Sequence, residues 1–175
     1  MNAVSAKMLV SVGQKCACVK IAGRANFTSS VDFKTLLSEL LQKGYTRFVL
    51  DLTQCTLMDS TFLGVLAGFG LKMNGPEADP ARPTLELFNP SPRIVDLLEN
   101  LGVLHLFKIV QGDLNLPETT ESHDLTPVNP SREEVKQTCL EAHQALMEAH
   151  PENSSRFKDV AQFLTEDLKK LKARS

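Results

Sequence analysis

Between residues 8 and 110 the sequence switches repeatedly between two hydrophobic periods, and few folds accommodate that alternation. Residues 8–12, 16–21, 47–52, 84–88 and 107–110 are short and rich in Val, Ile, Leu, Phe and Cys, a length and composition suited to strands. Between them lie stretches of helical spacing. Phe33, Leu36, Leu37, Leu40 and Leu41 recur at three- and four-residue intervals until Gly44 supplies a stop, with Thr28, Ser29 and Ser30 as candidate caps. Residues 60–73 are apolar almost all round, which predicts a helix packed on several sides. Ser91-Pro92 reads as an N-cap followed by proline at the first helical position, leading into Ile94, Leu97, Leu98 and Leu101 and ending at Gly102. The order is two strands joined by a turn at Gly13-Gln14, then helix, strand, helix, strand, helix, strand. It predicts an α/β fold: a mixed, mostly parallel sheet with an antiparallel entry and helices packed against it.

The pattern stops near Val110, which sets a first domain at 1–111. Residues 112–130 are polar, hold three prolines and keep no period, so they read as a linker. Beyond them Ser131-Arg132-Glu133-Glu134 fits a capping box, and Val135, Cys139, Ala142, Leu146 and Ala149 form an apolar stripe. Pro151 interrupts it, and Phe157, Val160, Ala161, Leu164, Leu168 and Leu171 form another. Residues 131–175 are therefore expected to form a helical hairpin whose narrow stripes pack on each other, on the core or on a second copy of the chain. A homodimer through these helices is one expectation. The chain of 175 residues suits one core plus such an appendage, not two full domains.

Composition narrows the functional classes. With 19 basic and 21 acidic residues, and the basic ones scattered, the chain has no electrostatic footprint for nucleic acid. The longest apolar run, residues 62–71, is about half the roughly 20 residues that cross a bilayer, and the N-terminus lacks a signal-peptide core. No membrane insertion and a cytoplasmic location are expected. Cys16 and Cys18 would share one face of a strand, where two small buried hydrophobes or a metal site are the alternatives; the spacing of Cys55 and Cys139 suggests no disulfide framework. Cys139 and His143 stand one helical turn apart with His150 beyond, but nothing supplies a fourth ligand, so no metal and no cofactor are expected. Asp51 and Asp59 are two carboxylates without a nucleophile–base pair or a glycine-rich phosphate loop, and an enzyme is not expected.

One segment carries more information than its periodicity. Val49-Leu50-Asp51-Leu52, a short loop, then Leu57-Met58-Asp59-Ser60-Thr61-Phe62-Leu63-Gly64-Val65-Leu66 resembles the signature of STAS domains, in which a hydrophobic strand leads through an Asp-Ser-(Ser/Thr)-Gly-Leu-Gly turn into a helix. Asn89-Pro90-Ser91-Pro92, followed by Leu97-Leu98 and Leu101-Gly102, is similar to the family's last loop and helix, and Gly23 with the loop after it matches a third feature. The three matches occur in the family's order.

The resemblance, which is to the anti-sigma factor antagonist type, implies a mode of action. In such proteins the serine after the Asp is phosphorylated by a partner that is both a serine kinase of the histidine-kinase-like ATPase type and an anti-sigma factor. The unphosphorylated form captures that partner and frees the sigma factor, and a PP2C-like phosphatase resets the switch. Ser60 matches the phosphoacceptor, and the implied partner-binding residues are Arg24, Asn26, Phe27, Asp59, Ser60, Thr61, Phe62, Leu63 and Ser91. The sequence departs from the pattern in carrying Phe62 in place of a frequent Gly, Asn26 in place of a usual Asp, and Arg24 in place of a nearby acidic residue.

Two other readings accompany these residues. Asp and Ser before an apolar helix are favoured N-caps in their own right, worth about 1 kcal/mol, so Ser60 is equally explained as a cap. The chain is also compatible with a non-phosphorylated STAS scaffold of a stress-signalling or lipid-transport complex, in which Phe62 is an apolar anchor in a permanent interface. Gly64 and Gly68 lie on the Ser60 face of the helix and are expected to let it approach the sheet closely.

Overall fold

The computed structural model describes residues 6–74, 82–113, 121–125 and 129–174. The elements in chain order are β1 (Lys7–Val12), β2 (Cys16–Ala25), α1 (Phe27–Gln42), β3 (Arg47–Asp51), β4 (Cys55–Met58), α2 (Ser60–Asn74), β5 (Thr84–Phe88), α3 (Pro92–Asn100), a 3-10 turn (Leu104–Leu106), β6 (Lys108–Val110), β7 (Glu121–Asp124), α4 (Arg132–Ala149) and α5 (Asn153–Arg174).

The strands form one mixed sheet in the order β6-β5-β3-β2-β1-β7, with β4 paired to the far end of β2. The β1–β2 pair is antiparallel, as are β1 and β7; the β2–β3, β2–β4, β3–β5 and β5–β6 pairs are parallel. Alternate residues of each strand point to opposite faces, so one face presents Val10, Ala17, Val19, Ile21, Phe48, Leu50, Leu85 and Leu87 to the main core. There they meet Phe33 and Leu37 of α1, Phe62 and Leu66 of α2, and Ile94 and Leu98 of α3. The other face carries a small cluster of Cys16, Cys18, Val49 and Phe88, beside the Arg47–Glu86 ion pair at 2.9 Å. Cys16 and Cys18 are thus buried free thiols on one sheet face.

Several boundaries differ from the sequence reading. Cys55–Met58, expected as loop, is strand β4, because the end of β2 runs past β3 and offers it a free edge. Gly23, at φ 96°, marks a register shift that turns β2 toward β4, so Arg24 and Ala25 belong to the strand and not to a loop. The cap of α1 is Asn26, not the Thr28–Ser30 group: its Oδ1 accepts from the Thr28 and Ser29 N–H groups, and Ser29 completes a capping box. Within the stretch read as a linker, Glu121–Asp124 forms β7 against β1. The rest of that linker at 114–120 and 126–128, the loop at 75–81 and the first five residues lie outside the described residues.

The C-terminal segment forms the expected pair of helices. The capping box at its start is present, with Ser131 Oγ accepting from Glu134 N at 3.1 Å and the Glu134 carboxylate accepting from Ser131 N at 3.0 Å. Helix α4 lies along α2 and against α1, and α5 packs on α4. Leu140, Ala161 and Leu168 are the buried residues of the α4–α5 seam. Asn153, wholly buried, clamps the turn between them by donating to the carbonyls of Leu101 and Leu146, both at 2.8 Å. Among the described residues no helix is long and apolar enough to cross a membrane.

Candidate partner-binding site around Ser60

Strands β2, β3, β4 and β5 run parallel, so the starts of α1, α2 and α3 gather at one edge of the sheet. Asp59 is the knot of this edge. Its N–H donates to the Ala25 carbonyl at 3.0 Å, its Oδ2 accepts from Phe27 N at 2.7 Å, and its Oδ1 accepts from Phe62 N at 2.9 Å. One carboxylate therefore caps α2 and ties it to the first residue of α1, where negative charge also meets the positive ends of two helix dipoles.

That assignment removes the capping role from Ser60. The Ser60 Oγ is hydrogen-bonded instead to His143 Nε2 of α4, at 3.1 Å. His143 Nδ1 lies 2.6 Å from the Cys139 carbonyl, which can only accept; Nδ1 therefore carries the proton of the neutral ring. Nε2 is then the acceptor, and the Ser60 hydroxyl donates to it. His143 is only 6% exposed and its ring packs against Phe157 of α5 at 5.0 Å. One residue along, Thr61 Oγ1 bonds to Cys139 Sγ at 3.5 Å. Burial pushes the Cys139 thiol above its ordinary range, with Thr61 opposing and the Asp59 charge adding to the rise.

The remaining residues divide by accessibility. Phe27 is 49% exposed and Arg24 is exposed on the same edge, so an aromatic ring and a guanidinium remain open to a partner. Asn26 is engaged in capping α1. Phe62 and Leu63 are buried; Phe62 stacks on Phe33 of α1 with centroids 4.9 Å apart and belongs to the core. The reading of Phe62 as a surface anchor is therefore corrected: the helical turn set by the Asp59 cap points it inward. Ser91 caps α3 by accepting from Ile94 N at 3.3 Å.

Gly64 also differs from expectation. It faces α4, not the sheet, and a Cβ there would overlap the Ala142 carbonyl. Gly68 likewise faces Ala145. Lys34 of α1 and Glu141 of α4 add an ion pair across the same seam.

The sequence reading found no nucleophile–base pair, yet the fold makes a hydroxyl–imidazole contact across a separation of 83 residues. A signal for it was present: His143 is four residues after Cys139 and three before Leu146, on the inward stripe of α4. The imidazole is oriented by a backbone carbonyl and not by a carboxylate, which fixes its tautomer without strengthening it as a base. Among the described residues no group of three His, Cys, Asp or Glu side chains could hold a metal ion.

Comparison with family models agrees with this architecture. The family model described as STAS domain matches residues 7–114. A search of curated proteins finds no match. The chain is similar to a solved structure described as the anti-sigma factor antagonist SpoIIAA in its unphosphorylated form, with 17% identity and a TM-score of 0.46, over 62% of this chain and 89% of that one. The family match covers more than half of the chain, from β1 through β6. The chain belongs to the STAS domain family.

Proposed function

We propose that this chain is a protein-binding switch of the anti-sigma factor antagonist kind, with Ser60 as its phosphoacceptor. The carrying observation is that Asp59 takes over the capping of α2, leaving the Ser60 hydroxyl free of any structural duty to its own helix. A hydroxyl released from capping can serve as an acceptor once its contact with His143 is broken. In this reading a serine kinase of the histidine-kinase-like ATPase type, which is also the anti-sigma factor, docks on the edge bearing Arg24, Phe27 and Asp59–Ser60. It transfers the γ-phosphoryl group of ATP to Ser60, and this chain supplies only the accepting oxygen.

The phosphate brings about −1.5 to −2 charges to a helix N-terminus, which tolerates anions, but sets them beside the Asp59 carboxylate. A partner surface docked over the turn then has to desolvate a dianion, so it is released. A PP2C-like phosphatase restores the binding form. The test is to incubate the chain with its co-purifying ATPase and Mg²⁺·ATP and map phosphate by mass spectrometry, with Ser60→Ala as control. Normal capture of the partner with no phosphate on Ser60 would sink the switch.

One observation favours a second reading, a STAS scaffold that is never phosphorylated: the Ser60 hydroxyl already has a partner in His143. A Ser60→Asp variant with unchanged partner affinity would select it. Self-association through the C-terminal helices is supported by Val160 and Phe163 of α5, which are 42% and 66% exposed. Val160→Asp/Phe163→Asp should then lower the mass measured by sedimentation; an unchanged mass removes this contact.

A further inference from the structure

The contact between Ser60 and α4 has a consequence for when the switch can be thrown. The hydroxyl and His143 Nε2 are 3.1 Å apart, in direct contact. A phosphoryl group on Oγ has no room along that line. Ser60 itself is half-buried, and on its α4 side Thr61 is bonded to Cys139 and Gly64 lies directly beneath the Ala142 carbonyl, so a phosphoryl group directed toward α4 meets packed atoms. The α2–α4 seam is extensive, but it is made by small side chains and close backbone approach. Helix α4 turns small or polar side chains toward α2, namely Thr138, Cys139, Ala142 and His143, and sends one large apolar residue, Leu146, into the main core.

We propose that α4 is a displaceable cover over the Ser60 turn, closed only while Ser60 carries a free hydroxyl, so that closure and phosphorylation exclude each other. The physiological trigger rests on the reading of Ser60 as phosphoacceptor; the cover itself does not. Transfer forms the Oγ–P bond as the bond from the γ-phosphorus to the departing ADP breaks, and the hydroxyl proton that bonded His143 passes to the kinase's base and on to solvent. By reciprocity, whatever factor the phosphate takes from closure, closure takes from phosphorylation. A kinase therefore acts on the open form, and the product stays open until the phosphate is removed. Arg24 and Phe27, exposed beside the covered turn, remain available to a partner in the closed form.

Cys139 is a built-in reporter, because it is half-buried at the seam, bonded to Thr61, while Cys16, Cys18 and Cys55 are buried in the sheet. The full chain would be labelled with a maleimide and each cysteine followed by peptide mass spectrometry. Phosphoserine installed at position 60 by codon reassignment, or Ser60→Glu, should raise the Cys139 rate by on the order of tenfold or more, the other three cysteines staying protected. Ser60→Ala, which removes one hydrogen bond without adding bulk or charge, should change it by about fivefold at most. Gly64→Ala, which forces the Ala142 carbonyl away, sets the rate of the open form, on the order of tenfold or more above wild type. Loss of protection at Cys16, Cys18 or Cys55 would reveal a variant that has unfolded, and the Ser60 series then decides alone. Unchanged Cys139 labelling with phosphoserine and Ser60→Glu overturns the proposal, as does Ser60→Ala opening the chain as fully as Ser60→Glu. Opening on these changes, with no variant accepting phosphate at Ser60 from the co-purifying ATPase, keeps the cover and removes the phosphoacceptor.

Discussion

Phe62 is the position at which the family signature and the packing disagree most, and replacing it gives a sharp measurement. Its ring has no solvent exposure and stacks on Phe33, itself in T-shaped contact with Phe69 at 6.2 Å. Truncating a buried phenylalanine to alanine costs about 3–5 kcal/mol, from lost transfer free energy plus the cavity left behind. The aromatic pair with Phe33 supplies about 0.5–1.5 kcal/mol of this beyond area burial. Phe62→Ala is therefore expected to destabilise the fold by about 4 kcal/mol. With a urea slope of about 2 kcal/mol/M, the unfolding midpoint should fall by about 2 M at unchanged slope. A surface anchor would behave otherwise, since exposed substitutions usually stay within about 0.5 kcal/mol and act on partner affinity instead. The assay is urea denaturation followed by far-UV circular dichroism, with Phe33→Leu and the double mutant completing a cycle. A loss under about 1 kcal/mol, or a cycle with no coupling between the two rings, would refute the placement of Phe62 in the core.

Three further outcomes follow from the same contacts. Asp59→Ala should cost about 2 kcal/mol in thermal unfolding and speed amide exchange at Phe27 and Phe62, because both carboxylate oxygens hold backbone N–H groups; Asp59→Asn, which keeps one acceptor, should recover part of the loss. Asn153→Ala should cost about 2–3 kcal/mol and speed amide exchange along the start of α5, since the buried carbonyls of Leu101 and Leu146 lose their shared donor. Burial, with the charges of Asp51 and Cys16 adding to it, pushes the Cys18 thiol from 9.0 up to about 12. A value raised on folding gives a contribution that is complete below pH 9 and lost as the pH rises toward 12. Urea midpoints measured from pH 8 to 11 should fall at the alkaline end, and Cys18→Ala should flatten that fall.

What was legible in the sequence is what local chemistry decides. The α1 stripe, the Ser91-Pro92 start of α3 and the Ser131–Glu134 capping box all emerged where expected, because each is written in residues three or four apart. The missed elements are held by partners remote in sequence. Strand β4 is four residues long and exists because the bulge at Gly23 aims β2 at it. Strand β7 reads Glu-Ser-His-Asp, with no residue of high β-propensity, and is recruited by the backbone edge of β1. At the site, the Asp59-Ser60 turn was visible as a motif, but its division of labour was not. Which of the two caps α2 depends on Phe27 N, 32 residues away, and on His143, 83 residues away.

Gly64 shows why the C-terminal helices are integral to this surface. A glycine inside a helix costs about 1 kcal/mol relative to alanine, and at this position the cost has a return only when another backbone comes close. The backbone that does so is the Ala142 carbonyl of α4, at a distance no Cβ tolerates. With α4 removed, a glycine at position 64 would weaken α2 for nothing, and alanine would be the more stable choice. Gly64→Ala is accordingly expected to have opposite effects in two contexts. In the full chain it disturbs the α2–α4 seam, exposes Cys139 and destabilises the fold by about 1–3 kcal/mol. When α4 is already displaced, as in Ser60→Glu, it should cost much less or even stabilise. Urea denaturation of the two single variants and the double variant measures that difference directly. Strict additivity would mean that the Ser60 and Gly64 contacts do not share α4 as their common partner.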